Sequence, residues 1–402
     1  MAVQKAFVPG FTAAGTAAGI KKNGAPDLAL LVCQAGAQGA LIATTNVVKG
    51  HSLQRSIRVI GTGTPVHALL VNSGNANACV GPDGDRDAQQ VAGLVAAAIP
   101  AARAETVLTA STGVIGFRLP MEAMERGIAA AAAQLTAEES GFEAAAQAIR
   151  TTDTHRKLER RSAVIDGLTS TFAGMAKGSG MIHPNMATMI AVLLTDLAIT
   201  PACLQTMLKR AADRSFNRLS VDGDMSVCDM VVLLASGEAG NPEISDPDSQ
   251  TAAAVQAELD ALAIELTRQL ARDGEGATKL IEIRVRGART DADAAQIASS
   301  IARSPLFKTM IYGEDANWGR ILTAAGYAGV DFDPDLVTIH IGDLEFCRDG
   351  MATDFDEDRA LEILQAEEIV VTVDLHAGDA ETRYWTCDFS HDYVSINGSY
   401  RS

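Results

Sequence analysis

A hydroxyl residue, Thr188, follows a glycine-rich loop and a Pro-Asn dipeptide in "AKGSGMIHPNMATMIAVLLTD" (176–196) and directly precedes the apolar run Met189–Leu194. A threonine at the mouth of a buried strand or helix can be a helix cap or a nucleophile. As a nucleophile it is poor without a base, and His183, a lone loop histidine, is ordinarily structural. The base could instead be the threonine's own α-amine, which titrates at about 7.7–8.0. An α-amine exists only at a chain start, so this chemistry demands cleavage of the Ala187–Thr188 bond. Gly178, Ser179 and Gly180 give the preceding loop freedom to strain that bond. The residues by themselves leave both readings open.

Other chemistries fail on spacing. "DFDEDRALEILQ" has the acidic look of a calcium loop, but its sixth position is Arg359 rather than Gly and its twelfth is Gln365 rather than Glu. A capped acidic helix start explains it better. "GTGTPV", after the strand-like "SIRVI", lacks the third glycine of a dinucleotide loop and runs into a strand. In "KGSG" the lysine precedes the glycines, the reverse of a phosphate loop. Six cysteines stand far apart with no C-x-x-C pair, and no two histidines stand at ligand spacing, so no metal is expected.

The chain must hold any such site in a fold, and its 402 residues suffice for two domains or one large α/β domain. A composition of 47% hydrophobic and 21% charged residues is that of a folded globular protein. The net charge of −17, without clustered Lys/Arg, argues against nucleic acid. The opening "MAVQKAFVPGFTAAGTAAGIKK" is broken by Pro9, Gly10, Gly15 and Gly19, so no signal peptide is expected; no 18-residue apolar run exists, so no membrane is expected. Scattered thiols suit core packing in a reducing, cytoplasmic setting.

The hydropathy pattern predicts buried strands over 27–33 and 66–74, and a helix over 87–100. The Ala-rich stretch 121–150 reads as two helices hinged near Ser140-Gly141. Long amphipathic helices follow at 201–217 and 249–274, the second closed by Gly274. "MVVLLASG" reads as a buried strand, "IEIRVRG" as a half-exposed one, and "VTIHIGD" and "EIVVTVDLH" as two more around an acidic helix start. The fold class is α/β of the layered α+β kind: mixed sheets packed with helices.

Eight segments in fixed order carry a resemblance that runs nearly end to end: "VPGFTAAGTAAGIKKNGAPDLALL", "LVNSGNANACVG", "STGVIG", "KGSGMIHPNMAT", "RSFNRLSVDGD", "GEGATKLIEIRVRGA", "SPLFKTMIYGEDANWGRI" and "YVSINGSYRS". The chain resembles the ornithine acetyltransferase family, the bifunctional glutamate N-acetyltransferases of arginine biosynthesis. That resemblance implies a self-cleaving enzyme of N-terminal-nucleophile type, with an α chain 1–187 and a β chain 188–402. It implies Thr188 as the nucleophile of both self-cleavage and acetyl transfer, and Thr112 and Gly113 as the oxyanion hole. It further implies substrate contacts at Thr151, Lys177, Glu275, Asn397 and Ser402, with Glu275 holding a cationic side chain such as ornithine's. The implied reaction passes the acetyl group of N-acetylornithine through Thr188 to glutamate. No bound cofactor is expected, acetyl-CoA is left open as a second donor, and the implied assembly is an α2β2 heterotetramer.

The chain departs from the family's pattern in places. The usual D-T-S-T-N-D is D-M-S-V-C-D at 224–229, so Met225, Val227 and Cys228 replace two hydroxyls and an amide. Arg150 and Arg156 replace a Met and a Pro around Thr151, and Gly50 and His51 stand where A-A-P-V is usual. These changes leave two rivals standing: a member acting on another amino acid, and an amidase or peptidase that passes the acyl group to water. They also pose a narrower question, whether 225–228 line the pocket or pack behind it.

Overall fold

The apolar run that opens at Leu28 does not stop at Cys33 but continues as one strand to Ala43. Gly36, at φ +84°, and a register break between Val32 and Ala37 bend this strand, so its two halves find different partners. It is the second strand of a computed structural model that describes residues 6–183 and 189–399. The structure divides into two units, one taking Met1–Gly178, Asn185–Asp213 and Asp224–Leu266, the other Ser179–Pro184, Arg214–Gly223 and Thr267–Ser402. Ala187, Thr188 and Ser402, three of the residues singled out above, lie outside the described residues.

The first unit holds an eight-stranded mixed sheet: β1 (Thr12–Thr16), β2 (Leu28–Ala43), β3 (Val66–Asn75), β4 (Val107–Val114), β5 (Lys157–Ile165), β6 (Leu168–Lys177), β7 (Ile190–Thr195) and β8 (Met230–Ala235). Their order is β4-β3-β2-β8-β7-β6-β5, with β1 on β2. The pairs β3–β4 and β7–β8 are parallel, and the other neighbours antiparallel. Strand alternation splits the apolar side chains between two cores. Leu31, Leu69 and Val71 share one with Phe142 and Ala145, while Leu30, Val32 and Leu70 share the other with Val91, Val95 and Ile128. The helices concerned are α2 (Pro82–Ala98), α3 (Met121–Ala133) and α4 (Glu139–Ala148), preceded by α1 (His51–Ile60) and followed by α5 (Pro201–Arg214) and α6 (Gln250–Arg272).

The second unit holds a six-stranded mixed sheet of β9 (Leu280–Ala288), β10 (Thr338–Ile341), β11 (Leu344–Arg348), β12 (Met351–Ala352), β13 (Glu368–Asp374) and β14 (Ala380–Cys387), in the order β12-β11-β10-β13-β9-β14. Ile281, Ile283 and Val285 of β9 pack with Ile297 and Ile301 of α7 (Asp291–Arg303). The remaining helices are α8 (Pro305–Tyr312), α9 (Gly319–Gly326), α10 (Glu357–Leu364) and α11 (His391–Gly398). Asp356 caps α10, accepting from the amides of Asp358 and Arg359, so the calcium-like segment is a helix start.

Two local expectations are corrected. "SIRVI" is not strand-like but the second half of α1, whose buried Ser52, Arg55, Ser56 and Val59 recur at helical spacing. The hinge in 121–150 falls between Ala133 and Glu139, and Gly141 lies inside α4. A Cβ at Gly141 would come 2.3 Å from the Ala13 carbonyl, so this glycine serves close packing against β1 rather than a break. All six cysteines are free and five are buried; Cys79 alone is exposed. No helix among the described residues is long and apolar enough to cross a membrane.

Candidate active site

β4 ends in "STGV", and the segment "VNSGNANA" of β3 and its exit dictates how. Ser111 donates to Asn72 Oδ1 at 2.6 Å, and its hydroxyl lies 2.7 Å from that of Ser52 on α1. Asn77 donates to Ser52 Oγ at 3.2 Å and to the Gly84 carbonyl at 3.1 Å. All four side chains are buried, so each unmade bond would carry a desolvation penalty, and the network holds the end of β4 in one place. Gly113 follows at φ +132°, facing Gly74 in the register. A Cβ there would lie 2.4 Å from the Gly74 carbonyl carbon, so only glycine allows this approach.

Lys177, the last residue of β6, places its ammonium 3.4 Å from the Thr112 hydroxyl and donates to it. A hydroxyl that accepts from an ammonium keeps its own O–H free to donate, which is what an oxyanion site requires. The lysine is 1% exposed. Burial pushes its pKa down and the Lys157 charge adds to this, while Asp153 and Asp229 oppose it.

Asp153 is the counter-charge. Its Oδ1 accepts from Lys157 Nζ at 2.8 Å and from the Gly178 amide at 2.7 Å, and its Oδ2 accepts from the Thr151 amide at 2.9 Å. Burial favours the neutral acid, but Lys177, Lys157 and the Gly178 amide together hold this carboxyl well below the usual range. Thr151 therefore joins Lys177 and Thr112 through Asp153. Lys21 closes the same group: its ammonium donates to the Pro26 and Arg150 carbonyls at 2.8 and 2.7 Å. Burial lowers its pKa to about 8.

Glu275 and Asn397 meet in the second unit. Asn397 Nδ2 donates to Glu275 Oε2 at 2.7 Å, and the Glu275 amide donates to the Ser179 carbonyl at 2.7 Å. The carboxylate lies flat on Gly180, where a Cβ would come 2.2 Å from Oε2. The loop behind it is pinned by Asp388, which accepts from the amides of Thr278 and Lys279 and from the Thr278 hydroxyl. His183 is within 3.5 Å of the Ser220 hydroxyl in the same unit, in keeping with a structural histidine.

The run after position 188 is the strand β7, so the helix-cap reading has no helix to serve. β7 re-enters the sheet opposite the place where β6 leaves it, with Ile190 the register partner of Lys177. The altered 224–229 segment divides: Val227 and Cys228 cluster with Ala76 and Ala78, and Cys228 donates to the Ala76 carbonyl at 3.4 Å, whereas Met225 is 39% exposed. Packing is therefore the role of 227 and 228. Asp153, Lys157 and Asp229 were missed as site residues, although "RTTDT" and "DMSVCD" contain two of them.

A model of the ArgJ family matches residues 12–402. The arginine biosynthesis bifunctional protein ArgJ of Symbiobacterium thermophilum is 50% identical over 98% of this chain and 97% of its own length. Its counterpart from Geobacter sulfurreducens is 45% identical over 98% of this chain and 100% of its own. Among solved structures, a chain of the Bacillus halodurans ArgJ protein is 41% identical with a TM-score of 0.50; the match takes in 97% of that chain but 52% of this one.

Proposed function

This chain belongs to the ArgJ family, and on that premise we propose that it transfers the acetyl group of N-acetylornithine to glutamate through an acetyl ester on Thr188. It is a bifunctional acetyltransferase of arginine biosynthesis. The observation that carries the finer reading is the meeting of Lys177 with Thr112 at the edge where β7 begins. Lys177 and Ile190, on either side of the segment containing Thr188, are register partners, and the Lys177–Thr112 contact supports reading Thr112 and Gly113 as the oxyanion donors.

In the proposed maturation, the Thr188 hydroxyl attacks the Ala187 carbonyl and the C–N bond breaks. Water then hydrolyses the resulting ester and leaves a free α-amine on Thr188. The solved Bacillus halodurans chain, matched over nearly its whole length to about half of this one, supports two chains, here 1–187 and 188–402. In turnover the α-amine takes the hydroxyl proton and the oxygen attacks the acetyl carbonyl. Thr112 and Gly113 stabilise the oxyanion, each donor contributing about 2.7–4 kcal/mol. Ornithine leaves with the proton, and the glutamate amine then attacks the ester to give N-acetylglutamate and restore Thr188.

Lys177 and Thr151 contact the substrate in this reading, Glu275 and Asn397 recognise the ornithine ammonium, and Ser402 completes the set. The two chains pair as α2β2 in the cytoplasm, and acetyl-CoA is a second donor at the same threonine. Mass spectrometry of purified protein should give fragments 1–187 and 188–402, and Thr188→Ala a single intact chain without transferase activity. A single full-length species from active wild-type protein would sink the mechanism. Acetate released as fast without glutamate as N-acetylglutamate forms with it would make the protein a hydrolase.

A further inference from the structure

The residue that follows the proposed nucleophile is held by a side chain that the reaction above does not use. Asp229 stands just before β8, at the level where β7 begins. Its Oδ1 accepts the Met189 amide at 3.0 Å, and the Met189 carbonyl accepts the Met230 amide at 3.0 Å. The Asp229 backbone is itself fixed, because its carbonyl accepts the Thr44 amide at 3.1 Å. Asp229 is fully buried, and its Oδ2 takes no hydrogen bond from a described residue. Such an arrangement is costly in a core unless it holds something in place.

We propose that Asp229 is a positioning residue that clamps Met189, and so fixes where position 188 presents its hydroxyl before cleavage and its α-amine afterwards. The proposal rests on the Thr188 reading. A chain end frays unless its backbone is tied down, and Met189 is tied at both its amide and its carbonyl. Burial pushes the Asp229 carboxyl well above the usual range, against the Met189 amide, the Lys177 ammonium and Ser226. Asparagine keeps an oxygen that can accept the Met189 amide, whereas alanine leaves that N–H buried without its acceptor.

The test follows the conversion of freshly translated full-length chain into two fragments for wild type, Asp229→Asn and Asp229→Ala, with melting temperatures on each. We expect D229A to cleave about tenfold to a hundredfold more slowly, from loss of one buried hydrogen bond and of alignment. D229N should stay within about threefold of wild type, since the amide oxygen keeps the Met189 contact. D229A cleaving at the wild-type rate, or D229N slowed as much as D229A at an unchanged melting temperature, overturns the clamp and leaves the nucleophile reading intact. If D229A does not fold, D229N decides by the same limits. Wild-type chain that never cleaves removes both the nucleophile reading and the clamp.

Discussion

The candidate site residues of the first unit and those of the second are held by different physics. In the first, Lys177 and Lys157 are inside the protein, and Asp153 answers them with both oxygens occupied by protein donors. In the second, Glu275 is 8% exposed and its carboxylate accepts from Asn397, on an exposed turn of α11. The first group is a frame whose carboxylate is already occupied by protein donors. In the proposed function a ligand's ammonium would join or displace the Asn397 donor of the second. Frame residues should therefore govern stability, and Glu275 selectivity.

The largest expected effect is on the frame. Asp153→Ala leaves two buried lysines without their carboxylate, and breaking such a group typically costs about 3–5 kcal/mol. Urea unfolding measures it, and a loss under about 1 kcal/mol would erase the contrast drawn here. The pH dependence sharpens the point. A carboxyl held below its ordinary 3.8 stabilises the fold above that value and loses the contribution as pH falls through the folded pKa. The gap between wild type and Asp153→Ala should thus be full at neutral pH and narrow below about pH 4.

Glu275→Gln keeps the shape and removes the charge. KM for N-acetylornithine should rise about a hundredfold while that for a neutral N-acetyl amino acid changes little, at nearly constant melting temperature. Equal losses on both donors, or a large fall in stability, would place Glu275 with the frame.

The smallest effect belongs to the segment that departs from the family's pattern. Val227→Thr introduces a hydroxyl into the Ala76–Ala78–Cys228 cluster and should cost about 1–3 kcal/mol without kinetic gain. Met225→Thr, on the exposed side, should stay within about 0.5 kcal/mol. An increase in kcat/KM for the ornithine–glutamate pair from Val227→Thr would return this segment to the substrate pocket.

What the sequence disclosed was periodicity and order. The runs 66–74 and 281–287 are strands, 368–376 is one as far as Asp374, and α6 ends two residues short of Gly274, because alternation and terminal glycine report local geometry directly. "SIRVI" misled because a β-branched triplet carries strand propensity, while Arg55 and Ser56 bury their polar ends against carbonyls supplied by residues about fifty positions away. Asp153 and Asp229 were unreadable as site residues for the same reason. A carboxyl is charged or neutral according to neighbours that only the folded sheet brings to it. The hairpin β5–β6 drew no reading, since "KLERRSAV" carries the charges typical of a guarded sheet edge.

The strand order of the first sheet bears on what a severed backbone would mean. β7 and β8 lie after position 188 in the chain, yet they sit between β2 and β6, which come before it. A cut at 187–188 would leave a two-strand wedge of one polypeptide riveted into a sheet made by the other. Six register pairs would tie β2 to β8 and six more β6 to β7, and Ile190, Val192 and Leu194 would be sealed in a core with Leu31 and Leu69. Pulling the pieces apart would open two ladders and that core at once, which amounts to unfolding the domain. The nicked protein would accordingly travel as one particle in any native separation, and would come apart only in denaturant. A new amino terminus would have been created in the middle of a sheet without loosening it.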